Sequence, residues 1–261
     1  MSRFIDELNQ VVRAAPVPMG FSAGRSAVER KKMLLVASLA GDGVDIPAGH
    51  LSGADAGLLG INKLADGARA LRQLGQLVPD LPWGGWLAGA VPGGLKPLLT
   101  AGADFVVFPA STPLSIIKDG AIGKILQVET SLGDGLLRAV GALPAEAVLM
   151  AGPGVGEALT WQYLMQVYRV AGLLPRPLLV PVPGDVNAAE LGALGEAGVA
   201  GVVIGVAGQP EGRLMELKQT IAGLSFKRRW GREAALLPRL RPAGDTVADE
   251  GDEGDEDDEG E

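Results

Sequence analysis

The chain has 261 residues, of which 47% are hydrophobic and 21% charged, with 39 Gly, one His and no Cys. That length suits one large α/β barrel, typically about 250 residues, or two smaller domains. The absence of Cys excludes disulfides, a thiolate metal site and a cysteine nucleophile. The formal net charge of −8 belongs to the end of the chain: positions 245–261 hold eleven acids and no base, so residues 1–244 carry about +3.

The first residues, MSRFIDELNQVVRAA, are charged and lack the apolar core of a signal peptide, which leads us to expect a cytoplasmic protein. Phe4, Ile5, Leu8, Val11 and Val12 follow helical spacing over 4–14, and Pro16 stops the run. We read this stretch as a helix covering the bottom of the barrel. Strand 1 spans 33–39. The connection after it, AGDGVDIPAGHLSGA, is too broken by Gly and Pro for a long helix.

Strand 2 is read at 56–61, followed by a helix over 63–77 with Leu64, Ala68, Leu71 and Leu74 on one face. Strand 3 spans 83–88, a compact helix 95–100, and strand 4 spans 105–109. Strand 5 is 124–129, its helix 134–143, and strand 6 is 147–151. The next helix, 157–173, carries Trp161, Tyr163 and Tyr168. Strand 7 spans 177–182, and helical spacing at Leu191, Leu194 and Ala197 leads to strand 8 at 201–206 and a last helix at 211–224.

Eight strands alternating with helices give the count of a (β/α)8 TIM barrel, with an open doubly wound sheet as the alternative. An internal echo supports repetition. SGADAGL at 52–58, AGADFVV at 101–107 and AGVAGVV at 197–203 each put a Gly just before a strand, where positive φ ends the preceding segment cheaply. The domain plan is therefore an N-terminal helix and lead-in at 1–32, the barrel at 33–225, a basic extension at 226–244 and an acidic tail at 245–261. The tail has nothing to bury and should be disordered, shielding the basic extension or simply aiding solubility.

Barrel sites lie at the C-terminal strand ends, so polar side chains there are the candidates. In KILQVET, Leu126 and Val128 share one face and Gln127 and Glu129 the other. The apolar pair should face the helices, which sends Gln127 and Glu129 into the lumen. A carboxylate in such a mouth is partly desolvated and suits general acid/base work, though Glu129 could equally reach solvent or a lysine. Lys63, directly after strand 2, could meet a phosphate or an oxyanion, or merely start a helix. Ser111 and Thr112, after strand 4, are candidate substrate hydrogen-bond donors, and Ser-Thr-Pro is also an ordinary helix start.

Asp42 and Asp45 could ligate a cation but read better as turn formers, so no metal site is assigned. His50 is a lone loop histidine. Trp83 and Trp86 read as packing residues, and the Gly-rich turn at 151–157 lacks the Lys-Ser/Thr of a nucleotide loop. Lys124 lies at the bottom of its strand, where it cannot form a Schiff base in the lumen.

The closing stretch, PLLVPVPGDVNAAELGALGEAGVAGVVIGVAG at 177–208, resembles the last βαβ unit of the phosphate-binding TIM barrels. That ribulose-phosphate-binding type includes the barrels of tryptophan and histidine biosynthesis and thiamine-phosphate synthase. The resemblance implies a phosphate held by backbone N–H groups of Gly184 and Asp185 after strand 7 and of Gly205 and Val206 after strand 8, with Asp185 turned away to cap the next helix. It further implies an enzyme of isomerase, lyase or synthase type acting on a small phosphorylated metabolite; Glu129 and Lys63 are its candidate catalytic groups by their places at the strand ends, not by the resemblance. Two alternatives stand beside it: a barrel that has lost catalysis and serves as a binding or interaction scaffold, and an FMN-dependent oxidoreductase using the same anion cup. No cofactor is required, no stable nucleic-acid binding or membrane span is expected, and an oligomer is compatible with the chain.

Overall fold

The structure is a computed structural model that describes residues 2–13, 31–40, 47–89, 94–118, 120, 122–152 and 157–225. Asp42, Asp45, most of the Gly-rich turn at 151–157, the basic extension and the acidic tail lie outside the described residues. Eight parallel strands form a closed barrel in chain order: β1 (Leu34–Leu39), β2 (Ala56–Ile61), β3 (Trp83–Leu87), β4 (Phe105–Pro109), β5 (Gly123–Val128), β6 (Ala147–Met150), β7 (Leu178–Val182) and β8 (Gly201–Gly205). β8 pairs with β1 from Leu34↔Gly201 to Ser38↔Gly205, which rules out the open sheet.

The helices are α1 (Arg3–Val12), α2 (Leu64–Leu77), α3 (Lys96–Thr100), α4 (Asp134–Val140), α5 (Trp161–Leu173), α6 (Ala188–Ala197) and α7 (Arg213–Gly223). Between β1 and β2 the described chain forms a 3-10 turn, Ala48–Leu51, as the Gly- and Pro-broken sequence implies. A second 3-10 turn, Leu114–Lys118, lies between β4 and β5. The helix read at 157–173 starts only at Trp161, because the Thr160 hydroxyl caps it by accepting from the Tyr163 amide at 3.1 Å. The three echoed glycines do take left-handed backbone: Gly53 at φ 96°, Gly102 at 89° and Gly198 at 102°.

Alternation along the strands makes two apolar layers. Leu35, Leu59, Leu126, Val128 and Ile204 face outward against Leu71, Leu74, Val167 and Leu191 of the helices. Leu34, Val36, Leu58, Phe105, Val107, Ile125, Leu149, Leu179 and Val203 fill the lumen. Phe4, Ile5, Leu8 and Val11 of α1 join that inner layer, so the helix plugs the bottom as its spacing suggests. Phe4 meets Phe105 with ring centroids 4.5 Å apart. The Phe105 ring in turn needs Gly84, where a Cβ would lie 2.3 Å from it.

The acid in each SGAD and AGAD echo has a role that the glycine pattern conceals. Asp104 accepts from the Arg3 and Phe4 amides at 2.8 and 3.0 Å and from the Ser2 hydroxyl at 2.8 Å, fastening the positive end of α1 to the barrel floor. Buried Asp55 accepts from the Leu35 amide at 2.9 Å and pairs with Lys31 and Lys218. Glu146 accepts from the Lys124 amide at 2.7 Å in the same manner. These carboxylates tie the lower rim and leave the upper rim to the loops.

Leu126 lies between β5 and the helical layer, 7% exposed. Leu126→Asp buries a charge without a partner and should cost about 3 kcal/mol or more, read as a lowered urea midpoint in chemical denaturation.

Candidate functional site at the barrel mouth

Each strand is buried almost throughout, and in all but β6 accessibility returns near the C-terminal end. On the lumen face these positions are Ser38, Gly60, Trp86, Pro109, Gln127, Pro181 and Gly205. They continue the alternation of Val36, Leu58, Gly84, Val107, Ile125, Leu179 and Val203 below them. None of the seven side chains is ionisable, so the wall of the mouth is neutral.

Gln127 points inward as read from KILQVET. Its Oε1 accepts from Trp86 Nε1 at 2.9 Å, although β4 stands between their strands. Trp86 pairs in register with Val107, and Pro109 with Gln127, so the contact passes over the upper part of β4. The two side chains floor the mouth and close the inner apolar layer. Trp86 is thus a packing residue, but one whose half-exposed indole borders the site. Trp83 is buried in the outer layer, against Gly57, where a Cβ would fall 2.3 Å from its ring.

The other candidates are spread around the rim. Glu129 follows the end of β5 and is exposed, and its carbonyl accepts from the Leu132 amide at 3.1 Å. Lys63 is the exposed residue before α2 and makes no side-chain capping bond. Ser111 is exposed. Thr112 is buried, with its amide bonded to the Pro109 carbonyl at 3.0 Å and its hydroxyl closed off from solvent without a partner. As it stands, that hydroxyl cannot reach a ligand in the mouth.

The closing unit is where sequence reading needs most correction. Val206 N–H donates to the Ser38 carbonyl at 2.9 Å as the last rung between β8 and β1, so this amide is not free for an anion. Asp185 is exposed and does not cap α6. Asn187 does so, in a capping box: Asn187 Oδ1 accepts from Glu190 N at 3.0 Å and Glu190 Oε2 from Asn187 N at 2.9 Å. The amides of Gly184 and Asp185 on the β7 loop, and of Ala207 and Gly208 on the β8 loop, make no hydrogen bond among the described residues. Gly208 is at φ 76°, which lets the loop turn sharply at the strand end.

Two residues that sequence reasoning missed hold these loops together. Arg213, first in α7, donates from Nε to the Gly184 carbonyl at 2.9 Å and from Nη2 to the Val186 carbonyl at 3.0 Å. The Gln209 carboxamide lies over Gly184 so closely that a Cβ there would be 1.8 Å from its Nε2. Their spacing of four residues around the start of a helix was the available signal, but it is a common one.

The wall is weakest between β6 and β7. These strands pair only at Val148↔Leu178 and Leu149↔Leu179, and Pro181 above them has no N–H to offer. The Tyr163 hydroxyl donates to the Pro181 carbonyl at 3.4 Å, and burial pushes this phenol well above its ordinary range. Beside it, between α5 and α6, lies a cavity of about 300 Å³ lined by Leu159, Trp161, Leu164, Ala193 and Leu194. Its lining comes from the N-terminal part of α5, from α6 and from the residues just before α5. Among the described residues no cluster of three His, Asp or Glu is placed to hold a metal ion, and no helix is long and apolar enough to cross a membrane.

No protein-family model matches the chain, and no curated protein matches it. Solved structures share its fold. One mutant of the tryptophan synthase α-subunit from the hyperthermophile Pyrococcus furiosus is 15% identical, with a TM-score of 0.57 over 72% of this chain and 96% of that one. A second mutant of the same subunit gives 13% and 0.54 over the same shares. Tryptophan synthase from M. tuberculosis gives 16% and 0.53 over 74% of this chain and 92% of that one.

The Tyr163 phenol is held neutral in the fold, while in the unfolded chain it ionises near its ordinary value of 10.0. Above about pH 10 the unfolded state therefore releases a proton that the folded state retains, and stability falls as pH rises. Tyr163→Phe should flatten the loss of stability between about pH 9 and 11 relative to the parent protein, measured by urea denaturation at each pH.

Proposed function

We propose that the chain holds a small phosphorylated metabolite over the C-terminal mouth, with its phosphate on the loops after β7 and β8. The observation that carries this reading is the set of four unengaged amides at Gly184, Asp185, Ala207 and Gly208. Backbone N–H groups in tight turns form concave donors for an anion, and the uncapped first turn of α7 adds its dipole. Arg213 and Gln209 hold the two loops in register, so the amides are preorganised. The fold common to this chain and the tryptophan synthase α-subunits supports the same reading, as does the resemblance of the closing unit to phosphate-binding barrels.

On this reading the reaction is of lyase, isomerase or synthase type. Glu129 is the proton-transfer group, being the carboxylate that follows β5 beside Gln127. Lys63, at the rim after β2, would stabilise negative charge developing on the substrate. Gln127 orients the substrate, with Ser111 at the rim; Thr112 would join only after its turn moves. Binding the phosphate remotely from the reacting bonds lets its affinity serve orientation.

A second reading, in which binding persists and catalysis is lost, is favoured by the neutral ring from Ser38 to Gly205. An FMN phosphate would use the same four amides, and a flavin absorbance band in purified protein would identify that case. Mass spectrometry of ligands released from the purified protein separates a phosphometabolite from an empty site.

Gly205→Asp places a carboxylate at the exposed strand end beside these loops and should abolish binding of inorganic phosphate in calorimetry while circular dichroism stays that of the parent. Unchanged phosphate affinity would remove the loops from the site. Glu129→Gln should lower turnover of the identified substrate by roughly 100-fold or more, while parent-like turnover would remove Glu129 from the proton-transfer role.

A further inference from the structure

The outer face of α5 and α6 carries bulky side chains and a hollow beside them. Trp161 is 81% exposed and Met165 69%, four residues apart and so one above the other on α5. Across the groove α6 presents small residues at the same spacing, Ala189 and Ala193, with Gly192 between them. Trp161, Ala189 and Ala193 all line the cavity of about 300 Å³ between the two helices. Trp161 and Ala189 are exposed, so the cavity opens outward. Within one chain the bulky residues leave the hollow unfilled.

Little free charge lies on this face. From Trp161 to Tyr168 the only ionisable groups are the phenols of Tyr163 and Tyr168. Arg169 is turned toward α4 by its ion pair with Asp134 at 2.6 Å and its bond to the Thr130 carbonyl at 3.2 Å. Glu190 is engaged by the Asn187 amide at 2.9 Å, and Glu196 lies in the last turn of α6. A face of this kind meets a copy of itself without like-charge repulsion at its centre.

From these observations we infer that the α5–α6 face is the interface of a two-fold dimer, in which Trp161 and Met165 of each copy seat on Ala189 and Ala193 of the other. The occupant is a second copy because bulky residue and hollow belong to the same face. A two-fold axis in the plane of contact, running along the groove, lays α5 of each copy over α6 of its partner at the same height, so one contact is made twice. An unrelated partner would account for the hollow or for the exposed side chains; a second copy accounts for both. With α5 13 residues long and the face two helices wide, the patch measures roughly 20 by 20 Å. Side-chain relief raises this to on the order of 600 Å² per copy, the low end for a specific pair. The dimer is therefore one that dissociates at concentrations on the order of micromolar. This inference is independent of the phosphate reading.

The test is sedimentation velocity on full-length protein from about 1 to 200 μM, where the mean mass should rise from one chain toward two. Trp161→Glu puts a charge on the bulky side of the contact, in the first turn of α5 where an acid suits the helix. Ala189→Arg puts the opposite charge on the hollow side at an exposed position. Each alone should weaken the dimer by about 20-fold or more, with circular dichroism that of the parent. An equimolar mixture of the two variants should recover dimer, because one contact then pairs the introduced acid with the introduced base and the other is the unaltered Trp161 on Ala189. Should Trp161→Glu fail to fold, Trp161→Gln carries the same expectation for the single variant.

A parent protein that stays monomeric over the whole range overturns the inference and leaves the face to some other occupant. A dimer that persists unchanged in Trp161→Glu overturns it too, since the pair then forms elsewhere. Single variants that are monomeric without recovery on mixing overturn the exchange of α5 and α6 between copies.

Discussion

The rung between Val206 N–H and the Ser38 carbonyl, 2.9 Å, is the last bond of the β8–β1 ladder, and the geometry of the mouth depends on that ladder. Closing a parallel sheet on itself removes its edges and fixes the tilt and stagger of every strand. Once Leu34 is level with Gly201 and Ser38 with Gly205, alternation dictates which residues face the lumen all round. It also dictates which amides are consumed by the wall and which are left over. Val206 belongs to the wall; Ala207 and Gly208, one and two residues on, do not.

The two ends of the barrel are stabilised by different chemistry. At the bottom, α1 supplies Phe4, Ile5, Leu8 and Val11 to the inner layer, and carboxylates of Asp55, Asp104 and Glu146 bind amides of neighbouring segments. Hydrogen bonds to charged acceptors are stronger than neutral ones, and a helix N-terminus favours an anion. At the top the connections are loops and caps, with Arg213 and Gln209 bracing the β7 and β8 turns. This division puts the carboxylate–amide ties on one face and the braced loops on the other.

The mouth separates unengaged backbone donors from a neutral, hydrogen-bonded floor. Unengaged backbone amides cluster at β7 and β8, whereas the floor formed by Trp86 and Gln127 is neutral and crosses from β3 to β5. An anion on the loops and an uncharged group on the floor would each meet complementary surroundings. The sparse supply of ionisable groups places the burden of any proton transfer on the rim, where Glu129 is exposed.

Periodicity and glycine punctuation in the sequence determined the eight strands, most helix positions, the plugging helix α1 and the left-handed turns at Gly53, Gly102 and Gly198. These features are local: a strand alternates and a helix repeats whatever its neighbours do. The inward direction of Gln127 was legible for the same reason, because Leu126 and Val128 leave it no other face. Tertiary structure alone decided the partners. Gln127 meets Trp86 41 residues away, Asp104 meets α1 about a hundred residues away, and Val206 loses its amide to Ser38 across the closing seam. Asn187, two residues beyond Asp185, took the cap because only there did the chain bring a side-chain oxygen over the third amide of α6. Register and closure are cooperative properties of the whole sheet, so which polar groups end up paired or available cannot be read from any single stretch.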